Sequence, residues 1–288
     1  MPKVSVIMSV YNQKNPCHLE RSVRSILDQT LSDLEFLIYD DGSERAEAEI
    51  LGKLQGLDRR IRLIRGDGNQ GISHGLNTCI RQAKGKYLAR MDADDDCLPE
   101  RLERQVEFLE QNPKVSFVGC GALLFGKEGV WGKRRMKEQP DAKDFLKYSP
   151  YIHPSVVFRR EVFLNQKGEL FRAYDTSQGI GRSEDYELFM RLHREGCFGY
   201  NLQEELFLYR EDDSGYRKRK FSFRLKECRV RYAGFQKMGI PFPRRLPASI
   251  KPLLLGMLPV RLYGWHKQRT AFFRGKEDDE AFRFFSNL

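Results

Sequence analysis

The residues best suited to chemistry form an acidic run, Asp92-Ala93-Asp94-Asp95-Asp96, directly after an apolar segment. Carboxylates this close raise each other's pKa unless a cation neutralises them. A hard divalent cation such as Mg²⁺ or Mn²⁺, bound by one or two carboxylates and by substrate phosphates, removes that cost. In an extended segment, Asp92 and Asp94 would lie on the same side. The alternative is a solvated acidic turn, and an isolated D-x-D motif favours neither interpretation.

Two further acidic pairs accompany this run. Asp40-Asp41 precedes Gly42-Ser43 in a turn-forming cluster at the end of another apolar segment, and its presence favours a ligand site over a solvated turn. Glu184-Asp185 opens a helical pattern over residues 184–194. Acidic side chains also stabilise a helix N-terminus, so on its own this last pair is equally well explained as a cap.

The acidic clusters are positioned by alternating strands and helices. Short β-branched runs predict strands at residues 4–10, 35–39, 61–64 and 87–91, and helical periodicity predicts helices between them. This alternation is typical of an α/β protein with a mostly parallel central sheet flanked by helices. Ligands bind beyond the carboxyl ends of the strands in such sheets, so the clusters at strand ends are predicted to face one crevice. The next helix is predicted to begin with Pro99 at its first position.

Composition predicts a folded protein with one main core. The chain has 288 residues, of which 40% are hydrophobic and 31% charged, with a net charge of +10 that favours polyanionic partners. The six cysteines form no C-x-x-C pair, which indicates reduced thiols and a cytoplasmic location. The N-terminal apolar run is predicted to be a strand and not a signal peptide, and no apolar run reaches the roughly 18 residues of a membrane span.

The C-terminal part changes in composition after Arg210. Residues 217–231 interleave basic and apolar side chains, which predicts a basic amphipathic helix, and residues 250–265 are apolar but broken by prolines. We therefore divide the chain into an N-terminal α/β domain, residues 1–210, and a basic helical extension, residues 211–288. Peripheral contact with a membrane through residues 217–265, at its cytoplasmic face, and packing on the domain with a solvated basic face are equally favoured.

Five motifs occur in a fixed order along the chain: VSVIMSVYN at 4–12, YDDGS at 39–43, NQGIS at 69–73, KYLARMDADD at 86–95 and SEDYEL at 183–188. Together they resemble the family 2 glycosyltransferases of the GT-A fold, a Rossmann-like nucleotide-diphospho-sugar transferase fold. The match spans about residues 3–210 and is far more specific than any single motif. It implies an inverting, metal-dependent hexosyltransferase that takes a nucleotide-sugar donor, most often a UDP-sugar. The acceptor would be a saccharide or lipid-linked saccharide in cell-surface or capsular polysaccharide synthesis.

The resemblance also assigns the donor site. Ser9, Tyr11 and Asp41 would contact the nucleobase, with Tyr11 stacking on it and Asp41 accepting a base N–H. Asp92 would bind mainly the ribose and also reach the cation, and Asp94 would bind the cation, Mn²⁺ or Mg²⁺.

The same resemblance assigns the catalytic pair. Asp185 would be the general base that removes the proton of the acceptor hydroxyl, and partial burial that raises its pKa would suit this task. Glu184 would position the acceptor or Asp185. His153, Arg90 and Arg182 lie near these motifs in sequence, and a structural role is favoured for His153 while both arginines could pair with phosphates or with the aspartates.

Two other functions compete with a transferase. A phosphohydrolase with an aspartyl nucleophile would carry its D-x-D near the first strand, whereas this chain carries it after the fourth. A catalytically silent protein could bind nucleic acid or membrane through residues 217–231, but no nucleic-acid-binding motif accompanies the charge, and no nucleic acid partner is expected.

Overall fold

The computed structural model describes residues 1–13, 15–127, 129–211 and 221–257. The strands are β1 (Val4–Val10), β2 (Leu34–Asp40), β3 (Ile61–Arg65), β4 (Tyr87–Arg90), β5 (Asp96–Cys97), β6 (Phe117–Gly126), β7 (Gly129–Arg134), β8 (Val157–Arg159) and β9 (Gly199–Arg210). The helices are α1 (Pro16–Leu27), α2 (Arg45–Gln55), α3 (Ile72–Gln82), α4 (Arg101–Gln111), α5 (Glu184–Arg194), α6 (Phe221–Lys237) and α7 (Phe242–Met257). Short 3₁₀ helices lie at Asp144–Leu146, His153–Ser155 and Arg160–Val162.

The strands form one sheet in the order β3-β2-β1-β4-β8-β6-β9-β5, with β7 beside β6. The first four strands are parallel. Beyond them the sheet is mixed, because β8 is antiparallel to both β4 and β6 whereas β6 and β9 are parallel. The predicted α/β class is confirmed, and the purely parallel arrangement is limited to β1, β2, β3 and β4.

The central strands are buried on both faces. Val4, Val6 and Met8 of β1 belong to one apolar cluster, and Ile7 belongs to a second cluster on the opposite face. Alternating side chains in a strand point to opposite faces, so a strand with apolar residues on both faces needs packing layers on both sides. The run VSVIMSV therefore predicts a strand sandwiched between helical layers, which is its place in the structure.

The parallel strands bring their carboxyl ends to one edge of the sheet. Val10 pairs with Asp40, and Ile7 pairs with Arg90, so the segments that follow β1, β2 and β4 emerge side by side. Two local predictions for the third segment were wrong. Residues 93–94 form a turn, so strand alternation does not set the directions of the neighbouring carboxylates, and α4 begins at Arg101 after the N-cap residue Glu100 instead of with Pro99.

The described part of the C-terminal extension is a helical pair that packs on α5. The ring of Phe235 lies 6.3 Å from that of Tyr186, and the Arg231 guanidinium stacks on the same Tyr186 ring at 4.7 Å. Residues 217–220 and 258–265, which carry part of the predicted basic and apolar segments, lie outside the described residues. Within the described ranges, no helix combines the length and hydropathy that a membrane span requires.

Candidate active site

The first wall of the site is the loop that Asp41 holds at the N-terminus of α3. The two carboxylate oxygens of Asp41 accept hydrogen bonds from the backbone N–H groups of Gln70 and Gly71, each at 2.8 Å. Gly71 has a φ of 90°, a backbone conformation that favours glycine, and it is the N-cap of α3. A carboxylate has about four lone-pair sites, so Asp41 keeps capacity to accept an N–H from a ligand. The predicted nucleobase ligand is thus also the residue that shapes its loop.

Tyr11 stands beside this wall because Asn12 ties the end of β1 to the turn after β2. Asn12 adopts a positive φ of 46°, its N–H donates to Ser43 Oγ at 3.2 Å, and its Oδ1 accepts the N–H of Glu44 at 2.9 Å. This turn leaves Tyr11 half exposed, with 50% of its surface accessible. An exposed aromatic ring held by a fixed turn is suited to stacking on a base.

Ser9 is partly exposed and packs against α3. The helix approaches β1 closely at Gly75, where a side chain would collide with Ser9 Oγ and come within 2.7 Å of Tyr39 Cδ1. Glycine at this position is what allows α3 to lie directly on the strand ends.

The acidic run begins at an ion pair with a buried arginine. Arg90 Nη1 lies 2.7 Å from Asp92 Oδ1, and Arg90 is only 1% exposed. Behind it, the buried guanidinium of Arg101 donates to the carbonyl oxygens of Arg90 and Pro154 at 2.9 and 3.2 Å. Arg90 therefore pairs with Asp92 in this structure, and its burial fixes the position of that carboxylate.

Asp94 and Asp95 both lie in surroundings that disfavour their ionised forms. Burial, and next the charge of Asp92, raise the pKa of Asp94 to about 6. Its neighbour Asp95 is more buried, and burial raises the pKa of Asp95 well above its ordinary value. Arg210, the last residue of β9, holds the turn by donating its backbone N–H to Asp95 Oδ1 at 2.7 Å and its Nε–H to the Asp94 carbonyl at 2.8 Å. The run closes at Asp96, whose Oδ2 lies 2.5 Å from Arg21 Nε.

Glu184 and Asp185 lie close enough to Asp92 to share its electrostatic environment. Burial, then the charge of Asp185, raise the pKa of Glu184 to about 7, and the charge of Asp92 adds to this effect. Glu184 Oε2 is buried and has no hydrogen-bond partner among the described residues. The charge of Asp92 thus contributes to the raised pKa of both Asp94 and Glu184, so the acidic run and the Glu184-Asp185 pair lie within electrostatic range of each other.

His153 belongs to a buried structural network. Its Nε2 lies 2.8 Å from Tyr174 Oη, and burial lowers the pKa of His153 well below its ordinary value. The backbone of Tyr174 is clamped by Asn77, which accepts its N–H at 2.8 Å and donates to its carbonyl at 2.9 Å. Arg182 points elsewhere, with its guanidinium 5.3 Å from the ring of Phe223.

The donor set fits a divalent cation bound partly by its substrate. Across the ranges that the structure describes, no group of three or more His, Cys, Asp or Glu side chains is arranged as a metal site. The fit rests instead on two carboxylates, since the charge of Asp92 disfavours ionised Asp94 and a cation would remove that penalty. Mg²⁺ and Mn²⁺ accept one or two carboxylates together with phosphate oxygens and water, so a third protein ligand is not required.

Arg210, Tyr174 and Asn77 have structural parts in the site that sequence reasoning missed. Arg210 was seen only as the point where composition changes, and no local pattern marks the other two. In each of their contacts, the two partners are separated by between 97 and 116 positions in the sequence. Periodicity reads only neighbours along the chain, so it carries no signal for such contacts.

Comparison with known proteins adds family relationships to this geometry. A model of the family described as glycosyl transferase family 2 matches residues 5–165. A Bacillus subtilis (strain 168) protein named as a glycosyltransferase, EpsE, is 33% identical over 271 residues, covering 93% of this chain and 95% of the relative. The O-antigen biosynthesis glycosyltransferase WbnJ of Escherichia coli is 34% identical over 215 residues, covering 72% of this chain and 79% of its own.

Solved structures share the fold at low identity. The crystal structure of S. aureus TarS 1-349 in complex with UDP matches with a TM-score of 0.58 at 16% identity, covering 83% of this chain and 69% of that one. The mannosyltransferase PcManGT from Pyrobaculum calidifontis, in complex with GDP-Man and Mn²⁺, matches with a TM-score of 0.59 at 18% identity, covering 95% and 81%. These likenesses confirm the predicted GT-A architecture.

Proposed function

The chain belongs to glycosyl transferase family 2, and from this membership we propose that it is an inverting hexosyltransferase that uses a nucleotide-sugar donor, first of all a UDP-sugar. The acceptor is a hydroxyl group of a saccharide or lipid-linked saccharide. One observation supports the proposal: burial and neighbouring charges, among them that of Asp92, raise the pKa of both Asp94 and Glu184, so the predicted donor and acceptor carboxylates lie within electrostatic range of each other.

In the proposed reaction, the oxygen of the acceptor hydroxyl attacks the anomeric carbon while Asp185 accepts the proton of that hydroxyl. The bond between that carbon and the diphosphate breaks on the opposite side, so a single displacement inverts the configuration. Glu184, beside Asp185 and almost buried, positions the acceptor or the base. Tyr11 and Ser9 contact the nucleobase at the edge of β1, and Asp41 accepts a base N–H.

Asp92 and Asp94 are the proposed ligands of Mn²⁺ or Mg²⁺, with Asp92 also directed to the ribose. When bound, the cation supplies neutralisation of the charge that develops on the leaving diphosphate. The titles of two structural neighbours support a nucleotide and a metal of this kind, since one complex holds UDP and the other GDP-Man with Mn²⁺.

The biological setting is proposed from the names of relatives. WbnJ is named for O-antigen biosynthesis, and AmsE of Erwinia amylovora is named for amylovoran biosynthesis. We therefore propose a role in cell-surface polysaccharide synthesis, in the cytoplasm or at the inner face of the cell membrane. The six free cysteines are consistent with that compartment.

The direct test is donor hydrolysis by the purified full chain. Incubation with a panel of UDP-sugars and Mn²⁺ should release sugar slowly from one of them, and NMR of the first product should show the anomer opposite to that of the donor. Asp185→Asn should abolish release, whereas Glu187→Gln, two residues along the same helix, should retain it. Release of the donor's own anomer, or equal turnover by Asp185→Asn, would reject the mechanism.

A further inference from the structure

We propose that the outward face of α7 docks onto an anionic lipid bilayer. Four apolar side chains recur there at every fourth residue, Phe242, Leu246, Ile250 and Leu254, and they are 55%, 37%, 37% and 60% exposed. Side chains four residues apart lie on one face of a helix. The result is a continuous apolar stripe, which we call the α7 stripe, on the surface of the described protein.

The charge around the α7 stripe matches an anionic partner. The helix Phe242–Met257 contains no acidic residue, Arg244 is exposed beside the stripe, and Lys251 is exposed while its Nζ donates to the carbonyl of Lys147 at 3.3 Å. Arg245, in contrast, turns inward and stacks on Tyr232 at 4.6 Å. An apolar face flanked by exposed basic residues is the arrangement with which a helix lies in a membrane interface. A second protein chain would not by itself explain the absence of every acidic side chain.

The inner face of α7 is firmly held, so the stripe is not left exposed by loose packing. Ser249 and Pro252 on this face are buried. The carbonyl of Pro252 accepts Arg224 Nη1 of α6 at 3.0 Å, and Lys251 Nζ donates to the carbonyl of Lys147 at 3.3 Å. These contacts fix which side of the helix faces outward.

This placement revises the surface expected from the sequence. The basic residues of α6 are largely used within the protein: Arg231 stacks on Tyr186 and pairs with Glu227 at 2.9 Å, and Lys226 Nζ donates to the Gln178 carbonyl at 2.5 Å. Side chains engaged in this way are less available to lipid headgroups. Within the described residues, the exposed stripe of α7 is therefore the better docking surface.

The helical pair also links the stripe to the catalytic residues. Lys226 contacts Gln178, and the ring of Phe223 lies 5.3 Å from the Arg182 guanidinium, so α6 packs on the segment that leads directly into Glu184 and Asp185. A membrane-docked α7 would hold this segment near the bilayer surface. The use of that position, which is access to a lipid-linked acceptor, rests on the proposed function.

The test is sedimentation of the full chain with two kinds of vesicle. One is pure phosphatidylcholine, and the other contains about 30 mol% phosphatidylglycerol to supply anionic charge. We expect binding to the anionic vesicles that weakens as salt is raised. Leu246→Glu/Leu254→Glu should weaken this binding at least about tenfold. Arg244→Gln should weaken it about fivefold, because a basic residue near an anionic surface contributes about fivefold. The control Leu57→Glu replaces a leucine of similar exposure, 51%, far from α7 in sequence, and should bind like the unchanged chain.

Three results would overturn the docking surface. They are no binding to anionic vesicles, binding that Leu246→Glu/Leu254→Glu leaves unchanged, and a dimer in light scattering that the same variant dissociates. Donor hydrolysis in solution, measured on the same protein, separates this proposal from the transferase. The Leu246→Glu/Leu254→Glu variant should hydrolyse donor as fast as the unchanged chain while it loses vesicle binding, and that result concerns α7 alone. If neither the unchanged chain nor the variant hydrolyses donor, the proposed function fails and the docking surface is judged by vesicle binding.

Discussion

Replacing Glu184 by glutamine should stabilise the ligand-free protein at neutral and alkaline pH. Burial and the neighbouring Asp185 raise the pKa of Glu184 from 4.5 to about 7. Between these values the folded protein keeps a proton that the unfolded chain has released, so stability falls as pH rises through this window. Below pH 4.5 the carboxyl is protonated in both states and Glu184 imposes no such cost.

The size of the effect follows from the pKa. One pKa unit corresponds to about 1.4 kcal/mol, so an ionised Glu184 lowers the free energy of unfolding by about 3 kcal/mol above pH 7. Glutamine has nearly the same shape and no charge. Glu184→Gln should therefore match the unchanged chain at pH 4 and exceed it by up to about 3 kcal/mol at pH 8.

Urea unfolding from pH 4 to pH 8 in the presence of a chelator measures this difference. Glu187→Gln is the matched control, because Glu187 lies on the same helix and pairs with Arg191 at 2.9 Å. Glu187→Gln should lower the free energy of unfolding by about 0.3–0.5 kcal/mol, the contribution of such a pair, and should not raise it at pH 8. A Glu184→Gln variant no more stable than the unchanged chain at pH 8 would refute the buried, charge-coupled environment assigned to Glu184.

Three further changes test separate parts of the structure. Asp94→Asn should raise the metal-free stability at pH 7.5 by about 3 kcal/mol, because the pKa of Asp94 rises from 3.8 to about 6, and urea unfolding with chelator would show it. Gly75→Ala should cost about 1–3 kcal/mol in the same assay because its methyl group collides with β1, whereas Gly68→Ala, with open space around it, should cost less. Tyr174→Phe leaves His153 Nε2 without its 2.8 Å partner and should cost about 1–3 kcal/mol, and an unchanged midpoint would contradict that network.

Local pattern was sufficient for the first half of the fold. The bounds of β1 (Val4–Val10) and α5 (Glu184–Arg194) agree with the apolar periodicity, and the α/β class and family are confirmed. Local pattern was less informative for β6, which extends over Phe117–Gly126. Gly119 and Gly121 weaken its strand signal, yet β9 requires them, because a side chain at Gly119 would come within 2.6 Å of Asn201 Oδ1 and one at Gly121 within 2.9 Å of the Glu204 carbonyl oxygen.

The site shows where sequence reasoning ended. Parallel strand ends were enough to predict that Asp41 and Asp92 would emerge at one edge, as they do. The individual roles of the site residues remain predictions. The turn at residues 93–94 and the lock that Arg210 places on it depend on a contact between segments 115 residues apart, which no local pattern encodes.

The central claim is that one diphosphate and one divalent cation bind together between these carboxylates. Thermal shift of the full chain with UDP, with Mn²⁺ and with both tests it, and GDP and CDP in parallel test the preference for uracil. We predict that UDP and Mn²⁺ together raise the Tm by more than the sum of their separate effects, because the cation would bind the diphosphate as well as the carboxylates. For scale, one ligand at 100 times its Kd stabilises the folded protein by about 2.7 kcal/mol. The excess should disappear in Asp94→Asn and persist in Asp185→Asn. Purely additive shifts, or an excess that Asp94→Asn retains, would contradict the shared site.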